Sequence, residues 1–297
     1  MLQTEYISPR YKNIDTWPVH EASLAFWEAQ MRAVASVKSA LPVIEHASLD
    51  IAERLLHPQS RLVYVGAGSS GLLAMQDGME MTQTFSWPLD RIVFMMAGGD
   101  KARLSPDGIS EDSAEEAKVD VDKFELNFHD VVIAVAASGS TPYTLQIAKD
   151  AKQRKCLVIG IANNSAAPLF TFSDHAVFLP SGSEVVAGST RLNAGTAQKT
   201  VLGILSSMFM MYSGHIVDGM MVSVTADNIK LEHRAIRIIE HIAEVEHTEA
   251  VAAMNQANGE VKKGVLIAMG CSKNKAVELL ESYGGNLREA MSVVKSA

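Results

Sequence analysis

Two short turns carry the residues best suited to chemistry. Gly66-Ala-Gly68-Ser-Ser-Gly71 follows one apolar run, and Ala137-Ser138-Gly139-Ser140-Thr141-Pro142 follows another. The first fits G-x-G-x-x-G after a strand, a dinucleotide-binding pattern whose usual companion is an acidic residue further on. Here the second strand closes with Ala97-Gly98-Gly99, and Asp100 comes only after the turn. Ser69 and Ser70 point instead to a phosphate held by hydroxyls and by backbone N–H groups at a helix N-terminus. On the pattern of this turn alone, a dinucleotide, a phosphate monoester and a tight turn without ligand all stay open. The second turn favours the phosphate monoester. Two Ser-rich turns at the carboxyl ends of parallel strands are positioned to converge on one ligand. Pro142 can open the next helix, where its missing N–H is no loss. A sugar phosphate suits both turns.

Three carboxylates could act beside such a ligand. Glu80 is the only charged residue in Gly78-Met-Glu-Met-Thr-Gln-Thr84. It lies nine residues past the first turn, about 13 Å along a helix. That span suits the far end of a sugar, or a neighbouring subunit's site, rather than the phosphate; a cap or buried ion pair is the plainer role. Glu111 falls in a charge run, residues 110–116, that by itself reads as a solvated helix start. Glu184 lies among turn residues in 182–191 and is the third candidate. His241 and His247 are six apart, not the i, i+4 spacing that puts two ligands on one helix face, so no metal site is expected. The fifteen methionines suit core filling.

These turns need a frame. Apolar runs at 61–66, 91–97, 130–136, 156–161 and 175–179 read as strands, with helices between them over 75–84 and 144–154. Such alternation predicts a parallel sheet covered on both faces. Residues 1–20 read as an extended arm. Residues 21–56 read as helical, with Leu24, Trp27, Met31, Val34 and Val37 at helical spacing. From about Thr196 the pattern turns helical and stays so. It ends in short helices over 261–297, with turns at Gly259 and Gly284-Gly285.

The 297 residues hold 26 basic and 34 acidic side chains, a net charge of −8. That balance disfavours nucleic acid as a partner, since such affinity rests on phosphate neutralisation. Cys156 and Cys271 form no Cys-x-x-Cys pair, which excludes a zinc ribbon or disulfide framework and suits a reducing compartment. The charged start MLQTEYISPRYKNID does not read as a signal peptide, and no run of 18 apolar residues occurs. A soluble cytoplasmic protein with no membrane partner is expected.

Taken together, GAGSSG (66–71), MAGGDKA (96–102), SED (110–112), ASGSTPY (137–143), GSEVVAGSTRLNAGTAQK (182–199) and NIKLEHRA (228–235) resemble the N-acetylmuramic acid 6-phosphate etherases, in the sugar isomerase (SIS) superfamily. The arm TEYISPRYKNID (4–15) and GGNLREAM (284–291) extend the resemblance more loosely. It implies a three-layer α/β/α SIS domain over 51–240, after an N-terminal arm and helix over 1–50 and before a small helical subdomain over 241–297. It also implies a cytoplasmic homodimer that needs no metal or organic cofactor. The implied reaction cleaves the lactyl ether of N-acetylmuramic acid 6-phosphate. By motif position, Glu80 is the general acid and Glu111 the base at C2. Gly68, Ser69, Ser70, Ser138, Gly139, Ser140, Thr141 and Glu184 line the sugar-phosphate site. Where family members usually carry Arg or Lys, this chain has Leu72, Ser140, Asn193 and Ile7. Met81-Thr82-Gln83 stands where the family has Cys-Pro-Pro. Those neutral positions suggest a less anionic ligand or altered specificity. A non-catalytic sugar-phosphate sensor, and an isomerase with Glu184 as base, are the other readings.

Overall fold

The computed structural model describes residues 3–103, 108–224 and 229–296. The chain forms two compact units. The first comprises residues 1–79 and 90–206, the second residues 80–89 and 207–297.

Five parallel strands form the centre of the first unit. They are β1 (Leu62–Gly66), β2 (Ile92–Met96), β3 (Val131–Val135), β4 (Leu157–Ala162) and β5 (His175–Phe178), in the order β2-β1-β3-β4-β5. β1, β3 and β4 are buried at every position, as the apolar runs predicted. Strands covered on both faces lose the apolar–polar alternation of a half-exposed sheet. On one face Val63, Val65, Val132, Ala134 and Val158 pack with Tyr143 and Ile147 of α6 (Pro142–Gln153) and with Val121 of α5 (Ala114–Lys123). On the other face α3 (Gly68–Phe85) comes down on Tyr64 and Phe94. A Cβ at Gly78 would lie only 2.5 Å from the Phe94 ring and 2.7 Å from the Tyr64 ring. The strand order reverses between β1 and β3, the crevice where sheets of this kind hold ligands.

The predicted helix over 21–56 is divided. α1 (Val19–Ser36) and α2 (Leu41–Leu55) are separated by a 3-10 turn over Val37–Ala40, and Pro42 sits in the first turn of α2. α1 buries the small residues Ala25, Ala29 and Ala33. Of the apolar stripe seen in the sequence, Leu24, Trp27, Met31 and Val34 stay 53, 60, 52 and 43% exposed, and only Val37, in the 3-10 turn, is buried. The arm is not extended throughout: it forms 3-10 turns over Gln3–Glu5, Pro9–Tyr11 and Ile14–Thr16. Tyr11 is buried with Ala25, Ala29 and Val185.

In the second unit α8 (Ile229–Ala243), α9 (His247–Gln256), α10 (Val261–Ala268), α11 (Lys273–Ser282) and α12 (Leu287–Ser296) enclose a core that includes Ile239, Val265, Leu266, Leu279 and Leu287. The helical run expected from Thr196 is interrupted. α7 (Asn193–Tyr212) ends before a hairpin of two-residue strands, β6 (Ile216–Val217) and β7 (Met220–Met221). Asp218 and Gly219 connect them with φ of 51° and 74°. Asp-Gly tolerates two successive positive φ angles, as a type I′ turn requires.

Candidate active site

The two serine turns leave neighbouring strands. Gly66 pairs with Val135, so the turns start about 4.8 Å apart. Gly66 and Gly71 approach so closely that a Cβ at Gly66 would lie 2.6 Å from Gly71 Cα. That contact lets α3 start directly at the strand end, with Gly68 at φ +50°. The sequence placed this helix from Met75. It starts seven residues earlier, so Ser69 and Ser70 lie in its first turn, where backbone N–H groups lack intrahelical partners.

The second turn is held from below. Gly139 has φ +69°, and a Cβ there would meet Ala167 Cβ at 2.2 Å and Ala162 Cβ at 3.1 Å. Its carbonyl accepts from Leu169 N at 3.0 Å. Ser138 Oγ accepts from Ser140 N at 3.1 Å and lies 3.4 Å from Thr141 Oγ1. Ser140 is exposed, and α6 opens at Pro142 as expected.

Glu111 ends the short helix α4 (Gly108–Glu111). Its Oε1 sits 2.7 Å from the position of a Cβ at Gly68. A residue that reads as part of a solvated charge run is thus brought against the first serine turn, 43 residues back along the chain. Glu80 is exposed on α3 and is counted with the second unit, whereas Glu111 and both serine turns belong to the first.

Glu184 is 1% exposed and accepts from the backbone N–H groups of Asn193 at 2.7 Å and Ala194 at 2.9 Å. Both carboxylate oxygens therefore serve the start of α7. Burial raises its pKa above the usual carboxylate value, and the two N–H donors partly oppose that rise. Asn193, at a position where relatives were expected to carry Lys, is fully buried. It donates to Ser183 O at 3.0 Å and accepts from Gln30 Nε2 at 3.1 Å. Leu72 packs with Met75, Met96 and Ala102, and Ile7 is 79% exposed.

Sequence reasoning missed Asp77. It is 3% exposed and accepts from Tyr64 Oη and Ser206 Oγ, both at 3.2 Å, with Lys199 Nζ at 3.9 Å. An Asp in the middle of a helix gives no signal of partners that lie on β1 and α7. Among the described residues no group of three or more His, Cys, Asp or Glu side chains is placed to hold a metal ion. None of their helices is long and apolar enough to cross a membrane. Asn228, which opens the NIKLEHRA motif, lies outside the described residues.

A doubly wound sheet with paired serine turns is matched by two domain families. The SIS domain matches residues 116–208, and the glucokinase regulatory protein N-terminal SIS domain matches residues 46–150. This is an SIS-domain protein. Its relatives include the N-acetylmuramic acid 6-phosphate etherase of Deinococcus radiodurans, 40% identical over 97% of this chain and 95% of that protein. The etherase of Rubrobacter xylanophilus is 35% identical over 98% and 96%, and that of Halalkalibacterium halodurans 35% over 98% and 97%. The chain belongs to the N-acetylmuramic acid 6-phosphate etherase family.

Proposed function

We propose that this chain converts N-acetylmuramic acid 6-phosphate to N-acetylglucosamine 6-phosphate and D-lactate, as a carbon–oxygen lyase of amino-sugar metabolism and peptidoglycan recycling. The observation that carries the reading is the carboxylate of Glu111 against Gly68, beside the turn that would hold the phosphate. The phosphate lies on the N–H groups and hydroxyls at Ser69 and Ser70, with Ser138, Ser140 and Thr141 closing over it. Glu111 takes the proton from C2. The C3–O bond breaks, and Glu80 donates a proton to the departing lactyl oxygen. Water then adds at C3, and a proton returns to C2. An acid and a base can share these tasks when their surroundings separate their pKa values. Fixing the phosphate supplies the orientation. The chain acts as a homodimer in the cytoplasm, and the uncovered stripe on α1 supports an assembly larger than one chain.

The test is a D-lactate assay on purified protein with N-acetylmuramic acid 6-phosphate. Wild type releases lactate. Glu80→Gln and Glu111→Gln each lose about 10²- to 10⁴-fold in turnover, the usual contribution of a positioned acid or base, while substrate still raises the melting temperature. Stabilisation by the sugar phosphate with no lactate from wild type would instead favour a sensor, the reading to which the neutral positions Leu72, Ser140, Asn193 and Ile7 lend weight.

A further inference from the structure

The arm, α1 and the loop after β5 border an open cavity of about 360 Å³ lined by Gln3, Tyr6, Arg10, Tyr11, Arg32 and Ser183. Two of these are arginines, and both are organised by one buried side chain. The Arg10 guanidinium carbon lies 5.9 Å from the Tyr11 ring centroid. The Arg32 guanidinium donates to the Tyr11 hydroxyl. Arg10 is also paired with Glu28, which leaves little charge for a ligand there. Arg32 lines the cavity and rests on a neutral phenol rather than on a carboxylate, and a guanidinium has five N–H donors to offer.

Hydrogen bonds place this cavity beside the second serine turn. Gln3 N donates to Asn164 Oδ1 at 2.8 Å, and Asn164 Nδ2 donates to Ala137 O at 2.8 Å. Ala137 immediately precedes Ser138. Gly188 N donates to Thr4 O at 3.0 Å, a second tie on the arm. Ser183 adjoins Glu184, whose carboxylate caps α7.

We infer that this arm cavity is a carboxylate subsite, in which Arg32, with Ser183 beside it, receives the acid group of a sugar phosphate whose phosphate sits on the serine turns. The inference rests on the etherase reading and deepens it. A guanidinium fork matches a carboxylate with two parallel N–H···O bonds, which a lysine cannot reproduce. The muramyl substrate carries a lactyl carboxylate, and N-acetylglucosamine 6-phosphate has none. The subsite would therefore favour the substrate over the sugar product, and it supplies charge that the neutral positions elsewhere do not.

The experiment compares dissociation constants for N-acetylmuramic acid 6-phosphate and N-acetylglucosamine 6-phosphate by calorimetry. It uses the Glu111→Gln background, so that substrate is not consumed. Arg32→Ala should weaken the muramyl ligand by about tenfold to a hundredfold, the loss expected for a charge-assisted hydrogen bond, and leave the glucosamine ligand unchanged. Arg32→Lys should recover only part of the difference. Equal weakening of both ligands, or of neither, overturns the subsite. Wild type that binds both sugars yet releases no lactate ends the etherase reading, and the same ratio still judges the subsite. Wild type that binds neither ends both.

Discussion

Gly139→Ala tests how the second serine turn is held. The position has φ +69°, and an added Cβ would lie 2.2 Å from Ala167 Cβ, 3.1 Å from Ala162 Cβ and 3.2 Å from Ala167 Cα. The left-handed backbone costs an L-residue about 1–2 kcal/mol. Forcing a methyl into a packed contact costs about 1–3 kcal/mol more. The total is about 2–5 kcal/mol. In a protein of this size each kcal/mol moves the melting temperature by about 2–4 °C. Gly99→Ala is the control, because Gly99 has φ +61° but nothing within 4 Å of an added Cβ. It carries the backbone cost alone. Thermal melts with and without sugar phosphate should show the larger drop for Gly139→Ala, by a factor of about two. They should also show a loss of ligand stabilisation, since relief of the clash moves Ser138 and Ser140. A drop no greater than that of Gly99→Ala, with ligand stabilisation intact, would refute the claim that contact with Ala167 and Ala162 fixes the turn.

Two further outcomes follow from buried charged groups. Glu184→Gln leaves one of the Asn193 and Ala194 N–H groups facing an amide donor, so it should cost about 1–3 kcal/mol, read as a lower melting temperature. An isomerase with Glu184 as base would lose activity without that drop. Burial pushes Lys262 from 10.5 down to about 8 while Nζ donates to Gly285 O at 2.6 Å. Below pH 8 it is charged in both the folded and unfolded states. Between pH 8 and 10.5 only the unfolded chain holds the proton, so this lysine's contribution to stability rises with pH across that window. Melting curves at pH 7.5 and 9.5 should show the rise relative to Lys262→Met; parallel pH slopes would remove Lys262 as its source.

The centre of the sheet was legible because β1, β3 and β4 are buried on both faces and so appear as unbroken apolar runs, while β5 at the edge is buried only at Val177. The expected strand at 156–161 is found at Leu157–Ala162, and that at 175–179 at His175–Phe178. The start of α3 was not. Gly-Ser-Ser-Gly has low helix propensity, yet it forms the first turn, because the close contact of Gly66 with Gly71 lets the helix begin at the strand end. On α1 the spacing gave the helix, but its apolar stripe is exposed while an alanine stripe meets the core. Close approach of α1 favours small side chains, which a count of large apolar residues overlooks. Glu111 is a different case. Local sequence makes Glu111 a solvated acid, and the chain's return past β2 is what brings it to Gly68; the family motifs named it where periodicity did not. Tyr11 and Arg32 had no signal at all, being 21 positions apart on different elements.

The second unit takes residues 80–89 from the middle of the chain and the rest from 207 onward. Met81, Phe85 and Trp87 of the early segment are 2, 6 and 6% exposed, and the Phe85 and Trp87 rings meet His215 edge-on at 6.4 and 5.8 Å. During synthesis these side chains leave the ribosome roughly 120 residues before the segment that covers them. At about 5–20 residues per second they wait roughly 6–24 s in water with nothing to bury them. The nascent protein thus carries a sticky interval that the finished one conceals. Cutting the chain after Ser206 would make that interval permanent.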